Sequence, residues 1–271
     1  MTPQQSELYR SPIRWAGSKR KLLPYLKAAA PTHFHRYLEP FCGSLCLLVA
    51  LKPNSAVVGD INPELIHFYR MMRWRPSAIA DLSHAIPQDP HTYYFLRDLA
   101  PQELSAQEAA ARFLYLNRFC FNGVYRTNRL GKFNVARGEH MGEIPPTDEL
   151  VSFGRLLRKV ELRQCDFEEL IDEAQCNDFV YLDPPYAGMG VRDRGEYGPG
   201  AFKLHDLERL REGVERASRR GAKILISYAD HPDFKRMFST WNLSTIEVTR
   251  NVSGFASHRG KVIELMARNY S

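Results

Sequence analysis

Residues 179–186 read F-V-Y-L-D-P-P-Y. Asp183 brings a carboxylate, Pro184 a carbonyl with no N–H of its own, Pro185 a second rigid turn residue, and Tyr186 a flat ring. The set suits one task, which is to grip an amino group attached to a flat heterocycle. The carboxylate and the carbonyl each accept one N–H of the amine, and the ring stacks on the heterocycle. The competing reading is a strand followed by an ordinary Pro-Pro turn, and the surrounding chain decides between them.

Four apolar residues before Asp183 predict a strand buried on both faces, inside a parallel sheet covered by helices. The prolines end that strand and leave Asp183 at its carboxyl end, where open α/β sheets bind ligands. Upstream, E-P-F-C-G-S at 39–44 follows a short strand and precedes an apolar helix at 45–51, the first unit of a nucleotide-binding α/β fold. Gly43 lets the backbone approach a cofactor closely, with Phe41 beside it. Leu45 stands where an F-x-G-x-G pattern has its second glycine. A second strand at 56–59 ends at Asp60. Because Asn62 can cap the next helix, Asp60 is placed to take ribose hydroxyls. The turn at 14–19, R-W-A-G-S-K before a helix at 20–29, is either an anion seat or a solvated basic turn. After a strand at 160–165, Asp166 and Glu169 have capping-box spacing, and Phe167 can cover a cofactor's adenine.

Between 68 and 150 the pattern changes. Helical periods recur at 78–85, 93–99 and 107–118 without buried parallel strands. Residues 116–135 then interleave aromatics, amides and basic groups, including Arg118, Phe121, Asn122, Arg126 and Asn128, with Leu130 and Gly131 able to turn a short hairpin. Such groups stack on bases and read base edges. Beyond Tyr186, residues 187–200 read as a loop over the site. A basic amphipathic helix follows at 206–220, with Arg211, Arg219 and Arg220 on a face expected to be solvated or to meet phosphate. A strand at 222–227 and a terminal hairpin, 245–252 and 262–267, complete the chain.

The 271 residues are 44% hydrophobic and 25% charged, ordinary for a globular protein, and the net charge of +6 suits a polyanionic partner. No apolar run approaches the length of a membrane span. The five cysteines are scattered, with no C-x-x-C pair, so they read as reduced cytosolic thiols and not as a zinc site.

With these pieces in order, the chain resembles the Dam-type DNA adenine methyltransferases. The resemblance rests on R-W-A-G-S-K (14–19), E-P-F-C-G (39–43), D-I-N (60–62), N-R-F-C-F-N-G-V-Y-R-T-N (117–128), G-K-F-N-V (131–135), D-P-P-Y (183–186) and R-G-K-V-I-E-L (259–265). It implies a Rossmann-like S-adenosylmethionine-dependent α/β domain, residues 1–67 and 151–271, with an inserted, mainly helical target-recognition domain at 68–150 that carries a β-hairpin. It implies that Trp15, Lys19, Asp60 and Asp183 contact S-adenosylmethionine. It implies further that Phe121 and Asn122 enter double-stranded DNA beside a flipped adenine, that Arg126 reads a guanine, and that Arg14 is another DNA contact, at a GATC-like site. The departures are Leu45 and, after F-N-V, Ala136 where relatives often carry proline. The reading is of a cytoplasmic, nucleoid-associated monomer that uses no metal and no membrane. Three rivals stand beside it: a cytosine-amine methyltransferase of the same fold, an RNA or protein amino-methyltransferase, and a DNA-binding module with an inactive cofactor site.

Overall fold

The computed structural model describes residues 10–128, 130–139, 142–186, 202–250 and 260–271, and at 249, 250 and 260–262 the backbone alone. The expected loop at 187–200 and residues 253–259 of the terminal hairpin's turn lie outside the described residues. In chain order the elements are α1 (Leu23–Ala29), β1 (Tyr37–Glu39), α2 (Cys46–Leu51), β2 (Ala56–Asp60), α3 (Pro63–Trp74), α4 (Pro76–Ala85), α5 (Pro90–Asp98), α6 (Ala106–Phe119), α7 (Thr147–Leu157), β3 (Val160–Gln164), α8 (Phe167–Asp172), β4 (Phe179–Leu182), α9 (Leu204–Arg219), β5 (Lys223–Ala229), α10 (Pro232–Met237), β6 (Asn242–Arg250) and β7 (Gly260–Arg268).

One seven-stranded sheet in the order β3-β2-β1-β4-β5-β7-β6 forms the centre. The first five are parallel; β7 runs antiparallel to both β5 and β6. As expected, all four residues of β4 are buried, and they alternate between two cores. Phe179 and Tyr181 join Tyr37, Val58 and Leu225 on the face covered by α1 to α3, α6 and α7. Val180 and Leu182 join Leu38, Val57, Ile224 and Ile226 on the face covered by α8 to α10. Strand order reverses between β1 and β4, so the carboxyl ends of these two neighbours flank the topological switch point.

Local chemistry sets several boundaries. Pro76 and Pro90 open α4 and α5 earlier than apolar period alone suggests, because proline is tolerated in the first turn; Asp89 caps α5 by accepting the Thr92 N–H. Helix α2 begins at Cys46, not Leu45, because Leu45 takes the left-handed conformation (φ 56°) while its side chain stays fully buried. Helix α6 packs on α3 and α4, and α4 on α7, and their apolar residues belong to the same core as the sheet face beneath. Where a short β-hairpin is expected, the described residues show two isolated antiparallel bridges, 127–133 and 120–137, with Gly131 at φ 74° between the first pair, and no strand ladder.

Helix α9 corrects one expectation. Arg211 and Arg219 are exposed as expected, but Arg220 is not, and Arg209 and Arg216 of the same helix are also tied down. Arg209 pairs with Asp166 and Glu168, Arg216 with Glu168 and Asp172, and Arg211 with Glu215. Arg220 donates to the carbonyls of Ile171 and Ala174 at the end of α8. The acidic residues of α8 and its unpaired terminal carbonyls attract three of these guanidinium groups, so Arg209, Arg216 and Arg220 fasten α9 to α8, while Arg211 pairs within α9.

Candidate active site

The central strand delivers Asp183 to the switch point. Its Oδ1 accepts from Lys19 Nζ at 2.7 Å and from Ser227 Oγ at 3.2 Å, and Ser227 shares a second hydrogen bond with the Tyr181 hydroxyl at 2.9 Å. Oδ2 takes part in none of these bonds. Lys19 is 6% exposed and also donates to the Gly17 carbonyl and the Tyr186 hydroxyl. Burial works against its charge, but Asp183, Tyr186 and Glu264 outweigh that and hold the ammonium protonated. Burial pushes the Asp183 carboxyl up, and Lys19 opposes the push. Tyr186 donates to both oxygens of Glu264, at 3.0 and 3.2 Å, and sets its ring edge-on to Tyr228.

At the end of β1 the chain turns through Gly43 (φ 40°), where a Cβ would sit 3.0 Å from the Trp15 ring. Trp15 therefore closes one wall by packing on bare backbone. Opposite lies Asp60. Asn62 supplies the α3 cap, accepting from the N–H groups of Glu64 and Leu65, as expected. Asp60 is left to accept from the N–H groups of Asn62 and Gly43, and burial pushes its carboxyl up to about 6. Phe41 and Phe167 stack at 5.1 Å with Phe202 set against both, and the half-exposed Ile61 stands at the rim. Asp166 does cap α8, and it also lines the cavity. One cavity thus collects Trp15, Lys19, Phe41, Gly43, Asp60, Asp166, Phe167, Asp183, Pro184, Pro185 and Tyr186.

The aromatic-amide stretch adjoins this cavity. The Arg14 N–H donates to Asn117 Oδ1 at 2.7 Å, and Asn117 Nδ2 donates back to the Arg14 carbonyl. Gly123 (φ 66°) packs so closely that a Cβ there would fall 2.4 Å from Arg14 Cβ. Part of the N-R-x-x-x-N-G pattern is therefore a seam holding the segment to the cavity wall. Tyr125 stacks on Trp15 at 5.9 Å and donates to Glu64, itself paired with the buried Arg112. Within the segment Phe121 is 48% exposed and Asn122 sits at φ 54°. Arg126 donates to Asn134 Oδ1 across the turn. Asn128 Oδ1 accepts from the N–H groups of Leu130 and Lys132, which builds the turn. Arg118 donates to the carbonyls of Pro12 and Glu143, and burial with the nearby charges of Arg14 and Arg20 pulls its guanidinium down to about 10.

Sequence reasoning gives no individual role to Ser227 or Phe202, and it includes Glu264 and Tyr125 only as letters of motifs. Ser227 and Glu264 carried a signal, each being a polar residue inside an otherwise apolar strand, buried at 0% and 2%. Glu39 was noticed only as part of a motif. It lines the cavity, accepts from Tyr37, and burial pushes its carboxyl well above the ordinary range. Among the described residues no cluster of His, Cys, Asp and Glu converges as metal ligands, and no helix is long and apolar enough to cross a membrane.

The chain is 33% identical over 267 residues to the Type II methyltransferase M1.LlaDCHI of Lactococcus lactis subsp. cremoris, covering 95% of this chain and 94% of that one. It is 30% identical to a DNA adenine methylase of Vibrio cholerae, covering 95% of each chain. It is 28% identical to one of Haemophilus influenzae, covering 96% and 93%. Residues 15–252, which span both the cavity and the aromatic-amide stretch, match the model of one family, and the chain accordingly belongs to the D12 class of N6 adenine-specific DNA methyltransferases.

Proposed function

We propose that this enzyme grips a flipped adenine of duplex DNA at D-P-P-Y, with Asp183 Oδ2 and the Pro184 carbonyl accepting the two N–H bonds of the amine and Tyr186 stacking on the ring. The observation that carries this reading is the fixing of Asp183 through Oδ1 alone, by Lys19 and Ser227, at the switch point. The adenine amine is a weak nucleophile because its lone pair is delocalised into the ring. Two acceptors draw the N–H bonds out of conjugation and localise that lone pair, which is catalysis by positioning and electrostatics.

The family uses S-adenosylmethionine, and the residues present fit it. Phe41 and Phe167 form an aromatic wall for its adenine, Asp60 offers a carboxylate for its ribose, and the carboxylates of Asp183 and Glu264 leave a local excess of negative charge over Lys19 for its cationic end. When bound, it supplies an electrophilic methyl on a sulfonium that departs neutral, so no acid is needed. Residues 68–150 form the target-recognition region, in which Phe121 and Asn122 enter the duplex and Arg126 reads a guanine of a GATC-like site. Arg14, Arg118 and Asn128 hold this surface and contact the DNA backbone. Unstacking the base costs a few kcal/mol, offset by the Phe121 insertion and the Tyr186 stack.

The test is methyl transfer to duplex DNA followed by base analysis. N6-methyladenine is the expected product, and Asp183→Ala abolishes its formation while DNA affinity, which rests mainly on phosphate contacts, persists. Label confined to cytosine or to RNA, or near-wild-type turnover by Asp183→Ala, refutes the assignment.

A further inference from the structure

We propose that Glu264 is a positioning residue for base stacking, setting the angle of the Tyr186 ring from behind. The inference rests on the reading that Tyr186 is the stacking surface. Glu264 lies on β7, a strand removed from D-P-P-Y in sequence, and is 2% exposed. A carboxylate buried among apolar strand residues costs several kcal/mol unless it is paired, so its partner matters. One partner is the Tyr186 hydroxyl, which donates to Oε2 at 3.0 Å and Oε1 at 3.2 Å. The hydroxyl in turn accepts from Lys19 Nζ at 3.2 Å, and the same Nζ pairs with Asp183 at 2.7 Å.

The result is a directional chain, Asp183–Lys19–Tyr186–Glu264, with the ammonium between two carboxylates. It has a geometric consequence. Tyr186 lies beyond the end of β4, and its ring has two soft torsions. Anchoring the hydroxyl, at the far end from the backbone, fixes the direction of the ring's long axis, and the near-perpendicular Tyr228 ring at 5.2 Å limits rotation about that axis. The acidic and the aromatic halves of the tetrapeptide are thereby held at a constant mutual orientation, so a base gripped by Asp183 meets a ring already parallel to it. Preorganisation of this kind acts on the rate of the chemical step more than on the affinity for either substrate.

The experiment uses the full-length enzyme and two duplexes, one with the target adenine for the methylation rate and one with 2-aminopurine in its place, whose emission rises on flipping and falls on stacking. Four proteins are compared: wild type, Glu264→Gln, Tyr186→Phe and the double variant. Glu264→Gln keeps the shape and loses the charge. Loss of a charge-assisted hydrogen bond at the stacking ring should slow single-turnover methylation about 10-fold or more. Emission in the complex should rise above wild type, while the cofactor dissociation constant and the melting temperature stay near wild type. In the Tyr186→Phe background, which already lacks the hydroxyl, Glu264→Gln should cost no more than about 2-fold further. Multiplicative losses in the double variant, or a Glu264→Gln enzyme with wild-type rate and emission, overturn the proposal. Should Glu264→Gln fail to fold, Tyr186→Phe reads the same contact, and a Tyr186→Phe enzyme indistinguishable from wild type overturns it equally. Tyr186→Ala separates the two levels of the argument. If it leaves emission and rate unchanged, the stacking assignment itself has failed; if it alters both while Glu264→Gln is silent, only the role of Glu264 has.

Discussion

Acidification should loosen the cofactor through one residue, Asp60. Its carboxyl is pushed up to about 6 by burial, against the opposing N–H bonds from Asn62 and Gly43. Ribose hydroxyls donate to the ionised form, so a proton competes with the cofactor for the same oxygens. Affinity is therefore complete above the raised pKa and is lost as the pH falls through it. With that pKa, Asp60 is about 90% ionised at pH 7 and about 10% at pH 5, which corresponds to a fall of about 10-fold in affinity, or ~1.4 kcal/mol. Stability runs the other way. A carboxyl whose pKa rises on folding holds its proton more tightly in the folded chain, so below about pH 6 its protonation favours the fold. The assay is calorimetric titration of wild type and Asp60→Asn with S-adenosylmethionine between pH 7 and pH 5. Asp60→Asn should bind more weakly at pH 7 and lose most of the pH dependence. A flat wild-type profile, or an Asp60→Asn profile that parallels wild type, would falsify the ribose assignment.

Two further outcomes are expected. Leu45→Gly restores the motif glycine and relieves left-handed strain of ~1–2 kcal/mol, but empties a fully buried core position worth ~3–5 kcal/mol. Denaturant titration should thus show net destabilisation of about 1–4 kcal/mol, and a stabilised variant would mean that strain dominates. Arg126→Ala should slow methylation of the proper site about 10–100-fold, equivalent to ~1–3 kcal/mol of base discrimination, and barely change the rate on duplexes altered at the guanine it reads. Arg219→Ala should weaken all sites alike or none; uniform slowing by Arg126→Ala across single base-pair variants would remove its role as a reader.

The sequence by itself determined the parts whose cause is local. Four apolar residues closed by D-P-P-Y specify a central strand and its end, because proline cannot extend a ladder. Asn62 before Pro63 specifies a helix cap, and with the cap supplied Asp60 is free to face the cavity. The motifs in their order specified the family. Only the tertiary structure decided the rest, because it depends on which strands become neighbours. Glu264 lies 78 residues beyond Tyr186 and reaches its hydroxyl only because β7 inserts between β5 and β6. Ser227 meets Asp183 because β5 lies beside β4. Leu45 shows the opposite case: a glycine pattern is broken in the sequence, yet the backbone still turns left-handed there, since burying the leucine outweighs the strain of the turn. Arg209 and Arg216 of α9, part of a basic face when read alone, become fastenings once Asp166 and the acids of α8 meet them. A periodic pattern shows which face a residue occupies, and the packing of other elements decides what that face meets.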